Sequence, residues 1–227
     1  MLTKRSKLKQ AMVAGLAAAL GLIGCAGPGD STGTTPTTNS IPSEVVLMTH
    51  DSFAVSDELL EAFQSETGID IKLLPAGDAG SMINQAVLTA DHPLADVIFG
   101  VDNNLLSRAL QAEVFEPYES PLLTAVPDDL QVDPRVTPID FGDVCINWDK
   151  AYFTSAGLPA PRTLLDLTDP DYRGLLVVEN PGTSSPGLAF LYSTIARFGE
   201  TGDYTWIDYW TDLRDNEVLV TSGWEEA

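Results

Sequence analysis

The chain has 227 residues, of which 33 are Asp or Glu and only 12 are Lys or Arg, giving a formal net charge of −21. An acidic protein repels polyanions, so this composition disfavours nucleic acid and anionic lipid as partners. The length suits one sizeable domain or most of two small lobes. The only two cysteines, Cys25 and Cys145, exclude a framework of several disulfides.

The first 25 residues have the pattern of a lipoprotein signal peptide. Four basic residues lie among the first nine positions, an apolar run spans 11–23, and the run closes on Leu22-Ile23-Gly24-Cys25. A charged start, an apolar middle and a small-residue exit are typical of secretion signals, and the run is short for a membrane span. The ending resembles a bacterial lipobox, which implies lipidation of Cys25. An ordinary signal peptide, or an uncleaved helix with a chance cysteine, is the alternative.

Residues 26–43 are expected to form a disordered tether. They are mostly Gly, Ser, Thr, Pro and Asn, and such a segment cannot bury enough apolar surface to offset its ordering entropy. Beyond Cys25 the chain holds eight basic side chains against 33 acidic ones. This balance weakly favours a cationic ligand, or it serves only to keep the protein soluble.

Strands and helices are predicted to alternate from residue 45 onward. The strands are predicted at 45–49, 69–73 and 95–101, and the helices at 57–67, 81–90 and 104–112. Ser56 is a plausible N-cap and Gly68 a helix stop. The order implies a parallel sheet with right-handed crossovers. Ligands bind beyond the carboxyl ends of such strands, so loops 50–53, 77–81 and 102–104 are candidate site segments.

A second alternating set follows a loop-rich stretch at 116–135. Strands are predicted at 136–140, 143–149, 175–178 and 218–221, and helices at 188–198 and about 204–214. Cys145 is predicted to be a buried apolar residue. The two sets predict a hinged binding protein with two lobes, 44–140 and a partial 141–227, which close around a ligand.

Six segments together resemble the thiamine-binding solute receptors of bacterial ABC importers, and the likeness covers essentially 45–227. They are Thr49-His50-Asp51-Ser52-Phe53-Ala54, Ala95-Asp96-Val97, Gly100-Val101-Asp102-Asn103-Asn104-Leu105-Leu106, Pro138-Ile139-Asp140-Phe141-Gly142, Gly182-Thr183-Ser184-Ser185-Pro186-Gly187-Leu188 and Val220-Thr221-Ser222-Gly223-Trp224-Glu225-Glu226-Ala227.

The resemblance implies an α/β fold of the two-lobed, periplasmic-binding-protein-like (type 2) class, with a hinge crossover. It implies a ligand of thiamine, thiamine phosphate or thiamine diphosphate, bound without catalysis, cofactor or metal. It further implies a monomer outside the cytoplasm, held at the membrane by its lipid anchor, which passes the ligand to an ABC transporter permease.

The resemblance also implies the ligand contacts. Asp78 and Ala79 match a loop that meets the ligand from the first lobe, although Asp78-Ala79-Gly80 stands where the family has Asp-Gly. Ser184 and Ser185 match the segment that holds the phosphate or hydroxyethyl end. Trp224 matches an aromatic residue at the ring site, while His50 replaces a tyrosine common in the family.

Each of these contacts has a physical rationale and a structural alternative. Thiamine carries a thiazolium cation, which Trp224 could meet with its ring face and Asp78 with its charge; the alternatives are a core tryptophan and a turn aspartate. With Ser185 as N-cap and Pro186 at N1, the free N–H groups of the next helix would suit a phosphate. An ordinary helix cap is the alternative there.

Other functions are less favoured. A receptor for ferric iron, a polyamine or an oxyanion stays open, as does a surface lipoprotein without a ligand. Enzyme motifs such as Gly-x-Ser-x-Gly, His-Glu-x-x-His, the P-loop and Cys-x-x-Cys are missing from the sequence, and only His50 with Asp51 hints at a catalytic or metal pair. The resembled family continues beyond residue 227, so a truncated product with weak or absent thiamine binding and poor stability is expected.

Overall fold

The structure, a computed structural model, describes residues 42–227. The proposed signal peptide with its lipidated Cys25 lies outside the described residues, as does the proposed tether up to residue 41. Among the helices at 42–227, none has both the length and the apolar character required to cross a membrane.

The first half of the described chain is built on a three-stranded parallel sheet, as predicted. Its strands are β1 (Glu44–Thr49), β2 (Asp70–Pro75) and β3 (Val97–Phe99), in the order β2-β1-β3. In the central strand, Leu47 lies opposite Leu73 on one side and Val97 on the other. Strand β3 is shorter than the predicted strand at 95–101, although the position of that strand is confirmed.

Three helices alternate with these strands: α1 (Asp57–Thr67), α2 (Ala79–Leu88) and α3 (Asn103–Gln111). The predicted ends of α1 are confirmed, because the Ser56 hydroxyl accepts the Leu59 N–H and Gly68 ends the helix at a φ of 75°. Helix α2 begins two residues earlier than predicted, since Asp78 provides its N-cap.

The first core forms where α2 and α3 pack on β1. Side chains from all three elements are shielded from solvent, and α2 contributes most of them. The buried members are Met48, Ala79, Met82, Ile83, Ala86, Leu105 and Ala109. This packing fixes the N-terminal end of α2, and with it Asp78, relative to the sheet.

The second half contains a pair of parallel strands, β4 (Val177–Glu179) and β5 (Leu219–Thr221), beside three helices. These helices are α4 (Lys150–Ala156), α5 (Ser185–Phe198) and α6 (Trp206–Asp215). The predictions of β4, β5, α5 and α6 are confirmed within a few residues, whereas α4 was not predicted. A separate core joins β4, α5 and α6, with Leu167, Val178, Phe190, Tyr209 and Leu213 buried.

The predicted strands at 136–140 and 143–149 are wrong. No residue from 135 to 149 is in a strand, and none of the N–H groups from 137 to 149 donates to a backbone carbonyl of the described chain. The alternation of Val144, Ile146 and Trp148 resembles a strand, but a strand also needs a neighbouring strand to pair with. Cys145 lies in this segment and is exposed rather than buried.

The two halves touch directly at α2 and the loop after β4. The Ser81 N–H donates to the Thr183 carbonyl at 3.2 Å. At Gly80, a β-carbon would lie 2.6 Å from that same carbonyl oxygen, closer than real contacts allow. The absence of a side chain at Gly80 is therefore what permits this approach.

Substitution Ile83→Ala should lower the free energy of unfolding by about 2–5 kcal/mol, because it removes a fully buried side chain from the first core. The control is Leu88→Ala in the same helix, at a side chain that is 86% exposed, which should change stability by less than about 0.5 kcal/mol. Urea denaturation measures both, and equal effects would contradict the assignment of this core.

Substitution Gly80→Ala should separate α2 from the Thr183 carbonyl, because the added methyl group collides with backbone. We expect a loss of about 1–3 kcal/mol in unfolding free energy and faster hydrogen exchange at the Ser81 amide. Gly142→Ala is the control, since nothing lies within 4 Å of a β-carbon there. If hydrogen exchange at the Ser81 amide is the same in Gly80→Ala as in the parent chain, the close contact between α2 and the Thr183 carbonyl is contradicted.

Candidate functional site

The strand ends of both halves border one groove of about 1860 Å³. Its wall includes Asp78 after β2, Phe99 at the end of β3, Ser185 at the start of α5 and Trp224 after β5. Small-molecule pockets usually measure about 300–1,000 Å³, so one such ligand would fill only part of the groove. This placement follows the rule that ligands of parallel α/β sheets bind beyond the carboxyl ends of the strands.

Asp78 links the two halves through its carboxylate. One oxygen accepts the N–H of Ala79 at 2.5 Å, and the other accepts the N–H of Trp224 at 3.1 Å. The residue is only 8% exposed, so these two donors compensate for much of its lost hydration. Ala79 is buried beside it, and its contribution here is its backbone N–H.

The hydrogen bond between Asp78 and Trp224 requires a glycine at position 223. A β-carbon at position 223 would lie 2.5 Å from an oxygen of Asp78, so any other residue would displace the carboxylate. The Trp224 side chain is 54% exposed and lines the groove. The alternative of a core tryptophan is therefore wrong, and the indole ring is accessible to a ligand.

Ser184 is the N-cap of α5, so the expected cap at Ser185 with Pro186 at N1 is wrong by one residue. The Ser184 hydroxyl accepts the N–H of Gly187 at 3.3 Å and donates to the buried carboxylate of Glu179. Its exposed fraction is 1%. The Ser184 hydroxyl therefore both donates and accepts a hydrogen bond within the protein.

Ser185 makes a second link between the halves. Its hydroxyl donates to the Asp102 carboxylate at 2.5 Å. Asp102 also caps α3, because it accepts the backbone N–H groups of Asn104 and Leu105 at 3.1 and 3.0 Å. The sequence placed Asp102 in a candidate site loop, whereas its contact with Ser185 was not predicted.

Three aromatic rings cluster beyond the ends of β1 and β3. The ring centres of Phe53 and Phe99 lie 5.0 Å apart, and the His50 imidazole lies 6.0 Å from Phe99. His50 also contacts the Ser52 hydroxyl at 3.2 Å. The imidazole therefore packs within an aromatic group at the groove. Within 42–227, no three His, Cys, Asp or Glu side chains are placed to hold a metal ion.

Glu179 is the buried acid of the second half. Burial raises its pKa above the ordinary value; the Ser184 hydroxyl acts in the opposite direction, and the negative charge of Asp78 raises the pKa further. Two carboxylates from different halves are thus close enough to interact. Glu179 was not predicted as a site residue because it lies in an apolar strand, although its position at the strand end was an available signal.

The five residues matched by the resemblance lie where the two halves of the described chain meet. Asp78 and Trp224 hydrogen-bond to each other, Ala79 adjoins Asp78, and Ser184 and Ser185 begin the helix on the opposite side. Carboxylates and the exposed ring of Trp224 border the groove, whereas the Ser184 hydroxyl is buried and already hydrogen-bonded. Such a set can bind an organic cation that carries a ring.

Substitution Glu179→Gln should make the free energy of unfolding less dependent on pH. A raised native pKa means that the folded state keeps a proton over a range in which the unfolded chain has lost it. Stability therefore falls as pH rises from the ordinary pKa of 4.5 towards the raised value. We expect Glu179→Gln to be more stable than the parent at about pH 7 and similar at about pH 4.

Thermal unfolding across this pH range provides the measurement. The control is Glu61→Gln, which removes an exposed carboxylate from α1 and should leave the pH profile almost unchanged. Parallel profiles for the parent chain and Glu179→Gln would contradict a buried acid at this position.

Curated proteins with similar sequences cover most of the described chain. The thiamine-binding periplasmic protein of Salmonella typhimurium is 29% identical over 188 residues, which are 81% of this chain and 55% of that protein. The thiamine-binding periplasmic protein of Escherichia coli is 28% identical, again over 81% of this chain and 55% of that protein. The chain thus spans about half the length of these relatives.

A solved structure and a family profile agree with this likeness. The structure titled "Periplasmic thiamin binding protein" matches with a TM-score of 0.61 and 25% identity, over 81% of this chain and 57% of that one. The fold is accordingly that of the two-lobed periplasmic binding proteins. The profile described as "Bacterial extracellular solute-binding protein" matches residues 92–221, more than half of the chain. The chain therefore belongs to the family of bacterial extracellular solute-binding proteins.

Proposed function

We propose that this protein captures thiamine or its phosphate esters outside the cytoplasm and delivers them to the permease of an ABC importer. Its similarity to thiamine-binding periplasmic proteins supports this ligand. The chain spans about 55% of the length of those relatives. The observation that carries the proposal is that Asp78 and Trp224 meet at the groove.

The chemistry of thiamine suits this arrangement. Its thiazolium ring is a cation, and the exposed indole of Trp224 offers the aromatic side chain that attracts cations best. The nearby carboxylate of Asp78 adds a negative charge of the right sign. The aromatic cluster of His50, Phe53 and Phe99 offers apolar surface for a second ring.

The proposed location and assembly follow from this function. We assign residues 1–25 to a signal peptide with lipidation at Cys25, and 26–43 to a tether that holds a monomer at the outer face of the membrane. The proposed lobes are 44–140 and 141–227, with the ligand between them. In this account the protein binds its ligand without catalysis or a cofactor and then meets the permease.

Other solutes have less support. Ferric iron requires several oxygen or nitrogen ligands around one point, and residues 42–227 contain no such cluster of His, Cys, Asp and Glu. A polyamine shares the positive charge of thiamine but lacks a ring for Trp224 to face. Thiamine is therefore the ligand that uses both the charge and the aromatic surface.

Thiamine at millimolar concentration should raise the melting temperature of the protein, because a ligand that binds only the folded state stabilises it. Trp224→Ala should weaken binding by roughly tenfold or more, while Trp224→Phe, which keeps an aromatic face, should retain part of the affinity. A thermal-shift titration compares all three proteins. Spermidine and ferric citrate serve as ligand controls, and stabilisation by either of them without any by thiamine would contradict the proposal.

A further inference from the structure

We propose that Glu179 holds a proton in the ligand-free protein and releases it when a cationic ligand binds, so that ligand capture is coupled to proton release. The cation is the thiamine of the proposed function, on which this inference rests. Glu179 lies behind the groove wall rather than on it, so it responds to the ligand through Asp78 instead of touching it. Two buried carboxylates, one from each half of the described chain, provide the coupling.

Glu179 is enclosed at the end of β4. It is 8% exposed and pairs in register with the uncharged Thr221 of β5. The first turn of α5 covers it, because a β-carbon at Gly187 would collide with the Glu179 carbonyl. Among residues 42–227, its carboxylate accepts a hydrogen bond from the Ser184 hydroxyl. One neutral hydroxyl compensates for only part of the hydration that an ionised carboxylate loses on burial, which favours the protonated form.

The carboxylate of Asp78 approaches Glu179 from the first half. It sits against Gly223, two residues beyond Thr221, the strand partner of Glu179. Asp78 accepts two backbone N–H groups, so it is the better hydrogen-bonded of the two acids. Two neighbouring carboxylates ionise together only at a cost. The negative charge is therefore held at Asp78 and the proton at Glu179.

The local electrostatics agree with this division. Burial raises the pKa of Glu179 above its ordinary value, the Ser184 hydroxyl acts in the opposite direction, and the charge of Asp78 raises the pKa further. Three more carboxylates lie near these two acids, one at the start of α3 and two in the segment after β5. They are Asp102, which accepts the hydroxyl of Ser185, and Glu225 and Glu226, which share a recess with Asp78.

Binding of thiamine changes this balance through Asp78. Asp78 lines the groove, so a thiazolium ring bound there offsets its negative charge and brings a positive charge towards Glu179. Both effects favour the ionised form of Glu179. Linkage then requires that binding releases a proton and, reciprocally, that binding tightens as pH rises. The coupling is confined to pH values between the pKa of Glu179 in the complex and its raised pKa in the ligand-free protein.

Isothermal titration calorimetry of the full chain with thiamine measures the proton release. Titrations at one pH in phosphate, MES and imidazole buffers, which differ in ionisation enthalpy, give the number of protons exchanged. Between about pH 5 and pH 7, the parent chain should release up to about one proton more than Glu179→Gln, whose amide oxygen can still accept the Ser184 hydroxyl. Over this range the affinity of the parent should rise about two- to tenfold relative to that variant. Titration of the ligand itself is common to both proteins, so their difference removes it.

The matched control is Glu61→Gln, which removes an exposed carboxylate from α1 and should exchange protons as the parent does. Equal proton exchange in the parent and in Glu179→Gln would overturn the inference, while thiamine binding in the same titrations would leave the proposed function standing. Failure of the parent to bind thiamine would contradict the proposed function, and the coupling with it.

Carboxyl ¹³C NMR signals test the proton on Glu179 without any ligand. The Glu179 signal, identified by its loss in Glu179→Gln, should titrate with a pKa above the ordinary 4.5. Asp78→Asn should lower this pKa, because it removes a neighbouring negative charge, and asparagine also caps helices well, so α2 should stay folded. A pKa at or below 4.5 in the parent chain would overturn the inference whatever the calorimetry shows.

Discussion

The buried carboxylate of Asp78 is the contact on which the arrangement of this site depends. A charge removed from water needs hydrogen-bond donors, and Asp78 obtains one from its own helix and one from Trp224 in the other half. The glycine before Trp224 leaves the space that the carboxylate occupies. One side chain therefore caps α2, brings the two halves together and positions the exposed indole ring.

Several carboxylates lie close to this contact. Glu179 and Asp102 accept hydrogen bonds from Ser184 and Ser185 at the start of α5. Glu179 is the last residue of β4, and Asp102 lies in the loop after β3. Burial is the main cause of the raised pKa of Glu179, and the negative charge of Asp78 raises it further. Under the proposed function, a cationic ligand would reduce the repulsion between the carboxylates of Asp78 and Glu179 when it binds.

Local signals in the sequence were sufficient for most of the fold. The cap and stop of α1 and the alternation of strands with helices depend on neighbouring residues, so their prediction succeeded. The strands expected at 136–149 failed because apolar alternation cannot supply a pairing partner. Helix α4 was overlooked although Asp149 and Gly157 mark its two ends.

The site was predictable only in part, for a related physical reason. The strand-end rule led to the loop 77–81, and the family resemblance singled out Asp78 and Trp224. Their hydrogen bond joins positions 146 residues apart, which a single sequence does not reveal. Glu179 was overlooked because acids are rarely buried without partners, and its partner, Ser184, was interpreted as a ligand contact rather than a cap.

The most direct test of the account is to locate the thiamine site by amide chemical shifts. In a ¹H–¹⁵N NMR titration of the chain, thiamine should shift the amide signals of Ala79, Ser185 and Trp224 together, with one common dissociation constant. The indole N–H signal of Trp224 should move with them. Shifts confined to other parts of the chain, or different dissociation constants for the two halves, would contradict a single site built around Asp78.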